Sequence, residues 1–266
     1  MRIWYQSTTE IENYHGYREA LRAHFACIAN PDTEVTLRGT PVGTWGGLAP
    51  SDVMKAPYAY HMILSRILFD GALQAEAEGY DAFILGSFTD PWLRELRSAV
   101  DIPVVSLLES TLLVGCTVAP RLGLVTMNTE NEWFLQSNIA AHRLKSRISG
   151  VYVVEPEMTE WELNTIFTDP APYVARFTEV ARRAVASYAD AIVPAEGLVA
   201  EVVATCGLKD VDGAPVLDAI ASAICFAEMA VKLHKRTGLH AGRRWNYTRA
   251  NDQIMRFAKG AAAIAR

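Results

Sequence analysis

Apolar and polar positions alternate in blocks along this chain. Short apolar runs followed by turn residues change places with longer stretches in which apolar side chains recur every three or four positions. The clearest run is Tyr80-Asp81-Ala82-Phe83-Ile84-Leu85-Gly86-Ser87-Phe88-Thr89-Asp90. Phe83, Ile84 and Leu85 are continuous, as in a parallel strand covered on both faces. Gly86 allows a close turn. Ser87 then stands at the carboxyl end of the strand, the edge where ligands bind in open α/β sheets. The pattern recurs 109 residues later as Ala189-Asp190-Ala191-Ile192-Val193-Pro194-Ala195-Glu196-Gly197. Laid on one another, Asp81 matches Asp190, Ala82 matches Ala191 and Ser87 matches Glu196. Two equivalent strand ends each carry one polar residue.

The same patterning predicts further strands over residues 3–5, 34–37, 102–106, 122–126 and 150–154. Between them it predicts helices near 14–28, 61–73, 91–100, 109–119, 132–142, 173–188 and 219–234, with Pro91 in a first helical position. Pro215-Val216-Leu217-Asp218 mirrors Pro103-Val104-Val105-Ser106. Alternating strands and helices in two parallel sets predict an α/β fold of two pseudo-symmetric parallel-sheet domains, with the site in the cleft between them. The expected division is a discontinuous first domain, residues 1–110 and 211–266, and a second domain, residues 111–210. In the loop from 40 to 51, Gly43, Gly46, Gly47, Pro41 and Pro50 surround Trp45. That tryptophan is either a lid over a pocket or a residue docked in a surface loop. The tail from 235 to 266 is basic and helical in pattern; it packs either across a subunit interface or on its own domain.

Composition narrows the function. Half of the 266 residues are apolar, enough for one large α/β unit or two small domains sharing a cleft. A formal charge of −5 gives no general attraction to nucleic acid or an anionic membrane. No apolar run approaches the roughly 20 residues of a membrane span, and Met1 leads directly into strand-like residues, so a cytoplasmic protein is expected. Cys27, Cys116, Cys206 and Cys225 are scattered, with no Cys-x-x-Cys pair, and buried free thiols are expected. No His/Cys/carboxylate cluster has metal-ligand spacing.

In these motifs the chain resembles the aspartate/glutamate racemase superfamily, most closely its hydantoin racemase branch. The resemblance is carried by residues 79–91, by Pro103-Val104-Val105 with Glu109, by residues 122–126, by residues 189–193 and by Pro215-Val216-Leu217-Asp218-Ala219, in family order. It implies two α/β domains, the second inserted in the first, a small-molecule substrate, no cofactor and no metal; a homo-oligomer is also expected. Racemases of this family place a cysteine at each of the two strand ends. The matching positions here hold Ser87 and Glu196, and none of the four cysteines lies there. The family's amino-terminal Asn-Pro-Asn turn is replaced by Tyr5-Gln6-Ser7.

A serine facing a glutamate is chemically lopsided. A serine hydroxyl needs a base before it reacts as a nucleophile. A carboxylate is a natural general base, and burial tunes it upward toward neutrality. Ser87 and Glu196 are therefore the expected catalytic pair. The first reading is hydrolytic attack on a hydantoin-like cyclic amide or thioamide, with Glu196 as base. The alternatives are a racemase, isomerase or decarboxylase in which Glu196 moves one proton on a small carbonyl or carboxylate substrate, and a binding protein without turnover. A glutamate before a helix also serves simply as a helix-start carboxylate. Ser7, Thr8, Trp45, Phe88, Thr126, Asn128 and Gly197 are the expected substrate-binding residues. Glu109 and Asp218 either orient the site or cap helices.

Overall fold

The structure is a computed structural model that describes residues 1–158, 162 and 164–257. It contains two parallel sheets. The first has the order β2-β1-β3-β4, formed by Glu34–Arg38, Arg2–Ser7, Ala82–Gly86 and Val104–Ser106. The second has the order β6-β5-β7, formed by Ile148–Val153, Leu122–Thr126 and Ala191–Pro194. Val216 pairs in parallel with Ile192, at the place β4 holds beside β3. The two sheets thus repeat one strand order.

Burial follows the alternation of side chains along each strand. From β1 and β3, Ile3, Tyr5, Ala82 and Ile84 enter a core that runs on into the second sheet through Leu122, Leu124 and Ile192. Trp4, Phe83 and Leu85 point the other way, into a smaller core with Tyr60, Leu64, Leu68 and Leu96. Both faces of β3 are closed, which explains its unbroken apolar run.

Helix α1 (His15–Ile28) follows β1, and α2 (Pro50–Met54) and α3 (Pro57–Ala77) precede β3. Helix α4 (Leu93–Ala99) starts two residues later than Pro91. Asp90 and Trp92, on either side of that proline, have φ of 46° and 59°, so the turn takes a left-handed path before the helix begins. Ser106 caps α5 (Leu107–Val118), accepting the Glu109 N–H. In the second half α6 (Thr129–Ala141) follows β5, α7 (Ala171–Ala186) precedes β7, and α8 (Gly197–Thr205) follows β7. A short hairpin, Asp210–Val211 with Ala214–Pro215, leads to Val216. The chain then returns to the first half through α9 (Ala219–Thr237), which packs on α5, α1, β3 and β4.

The basic tail lies on its own chain. Arg243 donates to the carbonyls of Arg97 and Val100 and pairs with Asp101 at 2.7 Å. Residues 258–266, the end of the predicted tail helix, lie outside the described residues. The expectation of buried thiols is corrected. Cys27, Cys206 and Cys225 are exposed, Cys116 is half-buried, and all four are free. Among the described residues no helix is long and apolar enough to cross a membrane.

Candidate active site

The carboxyl ends of both sheets open onto one cavity of about 30 Å³. From the first sheet, Thr8 and Thr9 follow β1, Gly86 ends β3, and Ser87, Phe88 and Thr89 follow it. From the second, Asn131 comes from the first turn of α6, and Glu196, Gly197 and Leu198 from the start of α8. Tyr17, Tyr60, Pro50 and Met54 complete the wall. Ser87 and Glu196 therefore face the same cavity from opposite halves of the chain. The space is far below the few hundred Å³ of a typical ligand pocket. A ring-sized substrate enters only if part of the wall moves; the short α2 supplies Pro50 and Met54 to that wall.

Glu196 caps α8, its Oε2 accepting the Val199 N–H at 2.9 Å. Burial pushes its carboxyl up to about 7, outweighing the backbone N–H groups of Val199, Leu198 and Gly197, which pull it down. Burial, and after it the Glu196 charge, raise the Tyr173 phenol well above its ordinary value. Gly197 is close to Tyr17: a Cβ there would stand 3.0 Å from the Tyr17 hydroxyl.

Ser87 ends a chain of hydroxyls. Its Oγ lies 2.9 Å from Thr89 Oγ1, which lies 2.9 Å from the Tyr60 hydroxyl. The Thr89 N–H also donates to Ser87 Oγ, at 3.3 Å. If Tyr60 donates to Thr89 and Thr89 to Ser87, both acceptor positions of Ser87 are filled and its own O–H is left for the cavity.

Four of the expected substrate-binding residues do not line this cavity. Ser7 Oγ accepts the Thr9 N–H and so shapes the exit of β1. Thr126 donates to the Ala195 carbonyl and fixes the turn that carries Glu196. Asn128 caps α6, accepting from both the N–H and the side-chain amide of Asn131. Trp45 is docked rather than a free lid: it is buried, stacked on Tyr60 at 5.7 Å, and its backbone N–H donates to Glu10 Oε1. Thr8, Phe88 and Gly197 do line the cavity. The sequence reading missed Tyr17, Tyr60, Thr89 and Asn131. For Asn131 a signal existed, since the Asn-x-x-Asn spacing at a helix start commits the first asparagine to capping.

A model of the Asp/Glu/hydantoin racemase family matches residues 56–227. The chain belongs to this family. Hydantoin racemase from Pseudomonas sp. (strain NS671) is 27% identical over 165 residues, which cover 62% of this chain. The match spans 64% of that relative's length, less than two thirds. Two solved structures share the fold over nearly all of the chain. Allantoin racemase from Klebsiella pneumoniae superposes with a TM-score of 0.72 at 16% identity, covering 95% of this chain and 94% of its own. Allantoin racemase from Pseudomonas fluorescens gives 0.67 at 17% identity, covering 94% and 97%. Glutamate racemase from Bacillus anthracis is more distant, at 0.53 and 12% identity, covering 89% and 82%. The matched family and the curated relative carry racemase names, and the hydrolytic reading of Ser87 and Glu196 finds no support in them and is set aside.

Among the described residues no thiol lines the cavity. Alkylation with iodoacetamide is expected to label Cys27, Cys206 and Cys225 without loss of turnover. Inactivation that substrate protects against, followed by peptide mapping to one cysteine, would contradict this.

Proposed function

We propose that this racemase-family chain is a cofactor-independent isomerase that moves a proton on a carbon next to a carbonyl, in a small neutral ring of the hydantoin type. The observation that carries this reading is the buried Glu196 carboxyl, raised to about 7 in a cavity it shares with Ser87. A group with that pKa accepts and returns a proton near neutral pH, which is the property a general base requires. Glu196 takes the carbon-bound proton to give an enolate, which is reprotonated at carbon either by the Glu196 carboxylic acid on the same face, restoring the starting enantiomer, or by a solvent proton on the opposite face, inverting it. The Ser87 O–H, held by Thr89 and Tyr60, donates to the carbonyl oxygen as negative charge develops there.

The neutral ring is favoured over a free carboxylate by the composition of the wall. Hydroxyls, one amide and apolar groups line the cavity together with Glu196, and no lysine or arginine is among them. A substrate carboxylate there would meet a carboxyl without a compensating cation. Cyclic amides match the available donors and acceptors without that cost.

The test is a panel of single-enantiomer 5-substituted hydantoins, allantoin and small α-substituted carboxylates. Polarimetry follows configuration, and chromatography follows ring integrity. Loss of rotation with an intact ring for the neutral members supports the proposal; turnover confined to the carboxylates, or ring opening, would reject it. On a substrate so found, Ser87→Ala is expected to lower kcat by about 10²-fold, the lower end of the loss from removing one donor to a developing oxyanion. The KM should change little.

A further inference from the structure

Two histidines that the site does not use occupy equivalent places in the two halves. His24 lies on α1, the helix after the first strand of the first sheet. Its Nδ1 is 2.8 Å from Glu201 Oε2 and its Nε2 is 2.9 Å from Asp218 Oδ2. His142 closes α6, the helix after the first strand of the second sheet. Its Nε2 is 2.7 Å from Asp90 Oδ2 and its Nδ1 is 3.4 Å from Glu109 Oε1. A carboxylate only accepts hydrogen bonds, so a ring with carboxylates at both nitrogens donates from both and is an imidazolium.

The partners correspond as well. Glu201 is buried on α8, just over one turn beyond Glu196, and Asp90, half-buried as a residue but with its carboxylate side chain enclosed, lies three residues after Ser87. Each therefore belongs to the reactive turn of the half opposite its histidine. The second carboxylate is in each case at the start of the helix that leaves the last strand. Asp218 caps α9, accepting the Ala221 N–H, and Glu109 lies in the first turn of α5. Ser106 ties the second cluster together, donating to Asp90 Oδ1 at 2.5 Å and accepting the Glu109 N–H. Helices α5 and α9 pack on each other where the halves join.

We propose that His24 and His142 are positioning residues, a matched pair of cationic clamps, each of which ties the reactive turn of one half to the first helix of the other and fixes the cleft around Ser87 and Glu196. The proposal goes beyond the choice of substrate and does not depend on it. The clamps explain why Asp90 tolerates a left-handed backbone: its two carboxylate oxygens are held separately, Oδ2 by His142 and Oδ1 by Ser106. They also explain how Glu196 stays dry, since α8 is fixed to α1 one turn beyond it.

Titration sets the working range. His24 faces Glu201 and Asp218, and together these carboxylates overcome its burial and raise it to about 10. His142 faces Asp90 and Glu109, with Arg97 on the far side of Glu109, and is raised to about 9. A histidine raised in the folded state contributes stability that is fully present below its unfolded value and is lost as pH rises through the folded one. The clamps are therefore closed at neutral pH and released above about pH 9 for His142 and about pH 10 for His24.

The experiment compares His24→Gln and His142→Gln with wild type and with His240→Gln, an exposed histidine beyond α9, as control. Hydrogen exchange read by mass spectrometry should rise at least tenfold around residues 196–201 in His24→Gln and around 86–90 in His142→Gln, each leaving the other turn protected. The Glu196 carboxyl, followed by ¹³C NMR, should move in His24→Gln from about 7 toward the ordinary carboxylate range as water reaches it. A histidine that only supports its own helix would raise exchange along that helix and leave Glu196 where it was. Unchanged turns together with an unchanged Glu196 titration would overturn the proposal. Should either variant fail to fold, wild type is taken from about pH 8 to about pH 10.5, with exchange corrected for its intrinsic pH dependence. The Ser87 turn should open first and the Glu196 turn second; no step at either would overturn the proposal equally.

Discussion

Glu196→Gln is expected to slow turnover roughly 10²–10⁴-fold, the usual loss when a general base is removed, while the protein stays folded and still binds its substrate. Glutamine keeps the size of the side chain and an oxygen for the Val199 N–H, so the cap of α8 survives. What it loses is the ability to accept a proton. The stability consequence has a definite sign. Native Glu196 holds its proton up to about pH 7, whereas an unfolded glutamate releases it near 4.3. Between those values the native state binds more protons, so stability falls as pH rises through the window. Glutamine does not titrate. The melting temperature of the variant, measured against wild type, should therefore improve from about pH 4 to about pH 7 and level off above that. In wild type, kcat/KM should rise with pH through a step near 7, when the free enzyme's Glu196 becomes ionised.

The second large effect is on the fold, at Gly86. An alanine Cβ there would stand 2.4 Å from Tyr5 Cε1 and 2.6 Å from Cζ. Tyr5 is fully buried and packs on Phe25 with ring centres 5.0 Å apart, so the ring has nowhere to move. Overpacking of a core usually costs about 1–3 kcal/mol and occasionally more, and contact this short belongs at the upper end. The strain falls on the residue before Ser87, in a strand held by β1 on one side and β4 on the other. Gly86→Ala should lower the denaturation midpoint with little change in m value. It should also lower turnover beyond what the unfolded fraction accounts for, because the Ser87 turn is displaced. Loss of stability with full activity in the folded fraction would mean that the turn does not depend on this contact.

The repeated strand pattern was readable because it is local. Phe83-Ile84-Leu85 and Ile192-Val193 are short apolar runs, each ending in a turn, and equal spacing from Asp81 and Asp190 brought Ser87 and Glu196 into register. The reason for Gly86 was only half readable. It was expected to serve a tight turn, but what it makes room for is the ring of Tyr5, on a neighbouring strand. Residues from distant segments escaped for the same cause. Tyr17 and Tyr60 sit at helical spacing among core residues, and nothing along the chain separates a tyrosine that ends in the cavity from one buried in the core. The four expected residues that do not line this cavity, Ser7, Thr126, Asn128 and Trp45, lie on the segments around it. Backbone groups, or in the case of Trp45 an aromatic neighbour and Glu10, claim them first. His24 and His142 gave no signal at all, since their carboxylates come from as far as 194 residues away.

The most direct test of proton transfer by Glu196 is deuterium entry into a single-enantiomer 5-substituted hydantoin in D₂O, followed at the ring carbon by ¹H NMR beside optical rotation. With one base and a serine opposite, deuterium should enter with retained configuration faster than rotation is lost, and entry should collapse in Glu196→Gln. Loss of rotation in step with deuterium entry, undiminished in a folded Glu196→Gln protein, would contradict the account.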